Sequence, residues 1–318
     1  MIESVPESQH TLSYVEAARQ GKHTPWRYVA GTVLILAIWL IGGGIVTAIL
    51  LILFAFRQGT SVEELTQLLA NPQGLGYVPY FLVISASFFP FILAIWLVVR
   101  FVHRRPFRTL ITGRRAIDWR RFGAGFGVWF LLSALSSLVE YLIYPETYSL
   151  QFDLATFLPF ALLALILTPI QTSSEELFFR GYLVQAGSLI SRSPVFLAIW
   201  SGALFTLPHV LNPEVAANTL LVLSTYFALG AFLAWVSIKD GTIELALGAH
   251  AANNLFAGLV VTFPDSAVST PAIFFTTHFD PVFTLITVIV ACALFYWIVF
   301  AIRSSRATTP AEAPFELE

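Results

Sequence analysis

Eight runs of mostly apolar residues dominate this chain. No other feature constrains its fold as tightly, because roughly 20 such residues are what a helix needs to cross the hydrocarbon core of a bilayer. They fall at about 28–56, 77–102, 122–144, 154–170, 194–211, 218–238, 242–263 and 281–302, with the charges confined to the punctuation between them. Charged residues are 11% of the chain, against about 25% in an ordinary soluble domain, so a soluble globular fold is excluded. The expectation is an all-α polytopic membrane protein of about eight transmembrane helices. A formal net charge of -2 leaves no basic surface to track a phosphate backbone, so no nucleic-acid partner is expected. With one cysteine, Cys292, the chain cannot form an internal disulfide or a multi-thiolate metal site.

Cytoplasmic loops near helix ends carry an excess of Lys and Arg. Counting alternate loops puts every Lys and Arg except Arg57 on one side, with Arg100, Arg104, Arg105, Arg108, Arg114, Arg115, Arg120 and Arg121 in the second loop. Both termini are therefore expected in the cytoplasm. The arginine cluster reads first as an orientation signal, with binding of anionic headgroups as the lesser alternative, and membrane lipids are expected partners. The first helix is too long for a signal-peptide core and reads as retained. Three parts follow: a cytoplasmic tail over 1–24, a membrane domain over 25–303, and a cytoplasmic tail over 304–318. Both tails are polar and expected to be poorly ordered.

Ionisable groups at membrane depth are expensive and point to function. Three stretches hold them: Glu175-Glu176-Leu177-Phe178-Phe179-Arg180, Phe205-Thr206-Leu207-Pro208-His209 and His250-Ala251-Ala252-Asn253-Asn254. On a helix Glu176 and Arg180 stand at i and i+4 and pair on one face, leaving Glu175 turned away and free for chemistry. His250 and Asn254 share the same spacing and project side by side as candidate hydrogen-bond donors. Glu175 and His209 lie equally far from the turn at Ser191-Arg192-Ser193-Pro194, roughly 25 Å at about 1.5 Å per residue, so a helical hairpin sets a carboxylate opposite an imidazole. Pro169 is expected to break or kink the fourth helix. Thr172-x-x-Glu175 and Ser173-x-x-Glu176 fit capping boxes that would start a new one.

Taken together and in order, EELFFR, FTLPH and HAANN resemble the EExxxR, FxxxH, HxxxN pattern of the CPBP intramembrane protease family, which includes the type II CAAX prenyl endopeptidases and bacterial proteins linked to bacteriocin processing and self-immunity. The resemblance covers about residues 154–260. It implies that Glu175 with His209 activates water, that Glu176 and Arg180 hold the site, that His250 and Asn254 stabilise the oxyanion, and that Phe205 packs beside them. Amide hydrolysis needs such parts: an activated water, a proton for the amine and donors where the oxyanion forms. Family members are often called metalloproteases, and Glu175, His209 and His250 are the residues that would hold zinc if one were required. A metal-free site is the preferred reading, because an Asn at the fourth position suits an oxyanion donor better than a zinc ligand. No HExxH occurs in the chain.

The expected activity is hydrolysis of a peptide bond in a membrane-associated or lipidated protein or peptide, at a bacterial plasma membrane. A transporter using the same polar groups is the rival, and matched broken helices in two halves would favour it; no such repeat is visible. A catalytically idle immunity or binding protein is a third reading. His10, His23, His103 and His278 lie in tails or loops and carry no expectation. Glu140 and Glu244 lie near helix ends, where solvation is easy.

Overall fold

The computed structural model describes residues 13–70 and 72–301. Among these, seven helices are long and apolar enough to cross a membrane: α2 (Pro25–Arg57), α4 (Tyr77–Val102), α5 (Trp119–Ile143), α6 (Leu154–Gly187), α7 (Pro194–Leu211), α8 (Thr219–Asp240) and α10 (Pro281–Ala301). Two short elements precede and follow α2, namely α1 (Ser13–Glu16) and α3 (Val62–Ala70). The seventh apolar run, 242–263, forms α9 (Glu244–Leu259), whose 16 residues reach only about 24 Å at 1.5 Å each and fall short of a bilayer core of about 30 Å. Most of α9 is buried, from Glu244 through Ala252. It is an internal helix that other helices shield from lipid.

Seating α9 requires close backbone approach. A Cβ on Gly248 would lie 2.0 Å from the Phe122 carbonyl oxygen, and one on Gly125 would lie 2.3 Å from that of Leu245. Glycine on both helices is what lets α5 and α9 touch, as small residues do wherever membrane helices pack tightly. Trp129, Leu132, Leu245, Ala246 and Ala249 fill the seam, joined by Leu229 and Leu233 of α8 and Phe295 of α10. A second core joins α2, α4, α6, α7 and α8 around Ile35, Phe91, Ile95, Phe178, Tyr182, Leu197 and Phe205. Ile45 of α2, Leu135 of α5 and Ile286 of α10 remain exposed on the outer faces, where lipid would cover them.

The expected break at Pro169 does not occur. α6 runs through both Pro159 and Pro169 as far as Glu176, and the hydroxyls of Thr172 and Ser174 donate back to Thr168 O (3.0 Å) and Ile170 O (2.7 Å), inside the helix. No new helix starts at Thr172 or Ser173. What changes at the motif is the winding: Leu177–Leu183 widens into a π turn, a feature common at functional sites. Carbonyls of this turn accept from side chains of other elements, Phe179 O from Ser201 (3.2 Å), Arg180 O from Tyr14 (3.2 Å) and Leu183 O from Trp200 (3.0 Å).

The N-terminal tail also departs from expectation. Residues 13–20 form two short helical turns that bury Tyr14, Val15, Ala17 and Ala18, while residues 1–12 and 302–318 lie outside the described residues. At the other end of the bundle, β1 (Tyr148–Leu150), β3 (Phe274–Thr276) and β2 (Val261–Thr262) form a small sheet. β3 lies in the middle, antiparallel to β1 and parallel to β2.

Candidate active site

The site is built on α6, α7, α8 and α9, and its centre is a buried chain of charge. Glu176 and Arg180, one turn apart on α6 and both fully buried, meet at 2.8 Å between Oε1 and Nη1. Arg180 also donates from Nη2 to Gly230 O of α8 (3.3 Å), and its guanidinium lies 4.2 Å over the Phe205 ring. Glu176 Oε1 accepts from Nδ1 of His250 at 2.7 Å, and Nε2 of the same ring stands 3.6 Å from Glu175 Oε2. A carboxylate can only accept, so the Nδ1 contact puts a proton on that nitrogen and turns Nε2 towards Glu175. Gln171, one turn before Glu175, donates to its Oε1 at 3.5 Å.

His209 occupies the last, tightened turn of α7, Leu207–Leu211, which Pro208 opens. Its Nδ1 donates to Phe205 O (2.7 Å), since a carbonyl cannot donate, and this leaves Nε2 as an acceptor. The hairpin argument sets His209 opposite Glu175. The two do line one cavity of about 350 Å³, but the imidazole at ion-pair distance from Glu175 belongs to His250. Phe205 touches both histidine rings, with centroids 4.6 Å from His209 and 5.7 Å from His250. Asn254 lines the same cavity, and its Oδ1 accepts from Nδ2 of Asn253 (3.1 Å), while Oδ1 of Asn253 accepts from Nε1 of Trp129 (3.2 Å). With its oxygen taken, Asn254 keeps its amide hydrogens for another partner.

Of the seven residues singled out from the motifs, Glu175, Phe205, His209, His250 and Asn254 line one cavity, and Glu176 and Arg180 stand behind it, Glu176 bonded to His250 and Arg180 over Phe205. Among the described residues no group of three or more His, Cys, Asp or Glu side chains converges as metal ligands would. Other members of the site carry no motif. Tyr226 of α8 stacks on His209 at 4.2 Å, its hydroxyl donates to Oε1 of the buried Glu214, and Asn212 donates to both Tyr226 (2.8 Å) and Glu214 (3.2 Å). The sequence held one signal for them: Asn212-Pro213-Glu214 directly follows the FxxxH stretch. Glu244, read from sequence as a solvated helix-end residue, is instead fully buried. It accepts from Asp118 N (2.8 Å) and Thr242 (3.1 Å), with Arg121 3.9 Å away, and so ties the start of α5 to the start of α9.

The family model described as type II CAAX prenyl endopeptidase Rce1-like matches residues 154–256, the segment holding all three motifs. The chain is 34% identical over 286 residues to the uncharacterized protein YyaK of Bacillus subtilis (strain 168), an alignment spanning 87% of this chain and 93% of that protein. No solved structure matches. The matched segment and the full-length relative together establish that the chain belongs to the CPBP family of Rce1-like intramembrane proteases.

Proposed function

We propose that the protein is an endopeptidase that hydrolyses a peptide bond of a membrane-associated or lipidated peptide, at a bacterial plasma membrane, with water activated by Glu175 and His209. The observation that carries the reading is the linked chain Arg180, Glu176, His250, Glu175, whose last two members line a cavity with His209 and Asn254. Glu175 takes a proton from water while Nε2 of His209 orients the same molecule, and the water oxygen attacks the carbonyl carbon. Charge develops on the carbonyl oxygen. Asn254 donates to it through Nδ2, and His250 joins through Nε2 when both of its ring nitrogens carry protons. As the C–N bond breaks, the proton held by Glu175 passes to the departing amine, and a carboxylic acid and an amine leave. Glu176 and Arg180 hold His250 and take no proton.

A panel of membrane-anchored and prenylated peptides, incubated with purified wild type, Glu175→Ala and His209→Ala in the presence and absence of a strong chelator, tests the proposal. Cleavage by wild type that survives the chelator and disappears in both variants is the expected result. Full activity in either folded variant overturns the assignment of roles, and loss of wild-type activity with the chelator overturns the metal-free mechanism.

A further inference from the structure

The active-site cavity is closed towards one face of the membrane and walled by loops of the other. Towards the arginine-rich face, the floor is packed and bonded. Tyr14 of α1, fully buried, donates to the carbonyl of Arg180 itself. Gln185 donates to Tyr14 O (2.9 Å) and Thr109 O (2.7 Å) while accepting from Arg105 (2.6 Å), and all of these side chains are buried. A Cβ on Gly181 would meet Leu110 O at 2.9 Å, so the loop following α4 lies directly against α6 one residue beyond Arg180. A peptide arriving from that face would have to displace α1 and this loop together.

The opposite wall is made of different chain. Asn212 and Glu214, from the connection between α7 and α8, line the cavity, as do Phe263, Ser266 and Thr270, from the connection between α9 and α10. α8 and α10 begin on this side and contribute their first two turns, with Val222, Thr225 and Pro281 in the lining. Neither connection holds a Lys or Arg; on this side of the membrane only Arg57 does. Retained positive charge marks the cytoplasmic face, so these loops lie on the other.

We infer that the cavity admits its substrate from the face opposite the cytoplasm. The bond cleaved then belongs to an exported or membrane-anchored peptide, presented from outside as an apolar segment against Phe160, Leu259, Val268 and Phe279 of the lining. This rests on reading the cavity as catalytic, but its test uses no catalysis, so the two can fail separately.

The test is cysteine accessibility. In a full-length Cys292→Ala background, Thr225→Cys and Ala267→Cys report on the cavity, Glu63→Cys on the outer connection after α2, and Arg115→Cys on the arginine-rich loop. Right-side-out and inverted membrane vesicles are exposed to a small membrane-impermeant thiol reagent, and modification is read by mass. The expected result is that both cavity cysteines follow Glu63→Cys, reacting in right-side-out vesicles and losing their labelling in inverted ones, while Arg115→Cys does the reverse. Ala267→Cys lies in a loop and keeps the test decisive if Thr225→Cys does not fold. Cavity cysteines that follow Arg115→Cys overturn the inference. So does failure of both to react from either side while the two reference positions react, and so does labelling of Glu63→Cys from the cytoplasmic face.

Discussion

Glu175 and Glu176 are chain neighbours placed in opposite circumstances. Glu176 is enclosed between Arg180 and His250, whereas Glu175 lines the cavity with a long contact to His250 and another to Gln171. Removing the charge of Glu176 leaves a buried guanidinium without its partner, a change that costs about 3–5 kcal/mol. Glu176→Gln is therefore expected to lower the melting temperature of the purified protein markedly, and Glu175→Gln to abolish cleavage while melting like wild type. Equal melting of the two variants would refute this division of labour. Tyr226 and Glu214 act one step further out, by fixing the face on which His209 rests. Glu214→Ala removes an acceptor shared by two donors, each hydrogen bond worth about 1 kcal/mol, so kcat is expected to fall roughly tenfold with KM unchanged. Glu214→Gln retains an acceptor oxygen and should recover most of the rate; a KM effect instead would place Glu214 in substrate binding. The motif residues were legible because Glu, Arg and His are conspicuous in an apolar chain. Tyr226 and Gln171 were not, because such residues are ordinary at helix ends and interfaces, and only the fold brings them to His209 and Glu175.

Helix α9 depends on two glycines. Gly248 stands two residues before His250, and any Cβ there meets backbone of α5 that cannot rotate away. Gly248→Ala is expected to push the helices apart at a cost of about 1–3 kcal/mol, to shift His250 relative to Glu176, and to reduce both thermal stability and cleavage. Wild-type behaviour in both measurements would mean the seam is looser than its geometry. Seven of the eight expected spans were readable from hydropathy and length, including the two that form the hairpin carrying Glu175 and His209, whereas the run that forms α9 is as apolar as a span and is buried instead. The continuity of α6 was not readable. Local rules give Pro169 the power to stop a helix, but within a bilayer a stop leaves several backbone groups without partners, each costing several kcal/mol, whereas continuing forfeits a single N–H. The capping sequences failed for a related reason: Thr172 and Ser174 spend their hydroxyls on carbonyls of the preceding turn, and no free helix start exists for Ser173 or Thr172 to cap.

The largest departure from the sequence reading is the way polar material from outside the bundle completes it. From sequence the tail reads as poorly ordered and the arginine-rich loop as an orientation signal, because charge pattern reports which face a loop lies on and says nothing of what it folds against. In the structure they interlock: His103 is buried, with Nδ1 donating to Lys22 O (2.9 Å) and Nε2 beside the Tyr182 hydroxyl (3.0 Å), and Arg105 bonds Gln185 beneath the site. Burial lowers the pKa of His103 to about 4 from an ordinary 6.5. Its hydrogen bond to Lys22 O works against that shift, while the positive charges of Arg105 and Arg27 reinforce it. The unfolded chain therefore takes up this proton at a higher pH than the folded one does. The stability tied to a neutral His103 is fully present above about pH 6.5 and declines as pH falls towards 4. His103→Gln keeps an N–H for Lys22 O and an oxygen for Tyr182 but has no proton to gain. Melting temperatures of the two proteins, recorded from pH 7.5 to 4.5, are expected to fall less steeply in the variant across the acidic half, with the difference between the curves isolating this one group from the carboxylates. Parallel curves would show that the docked tail and loop are indifferent to His103 protonation.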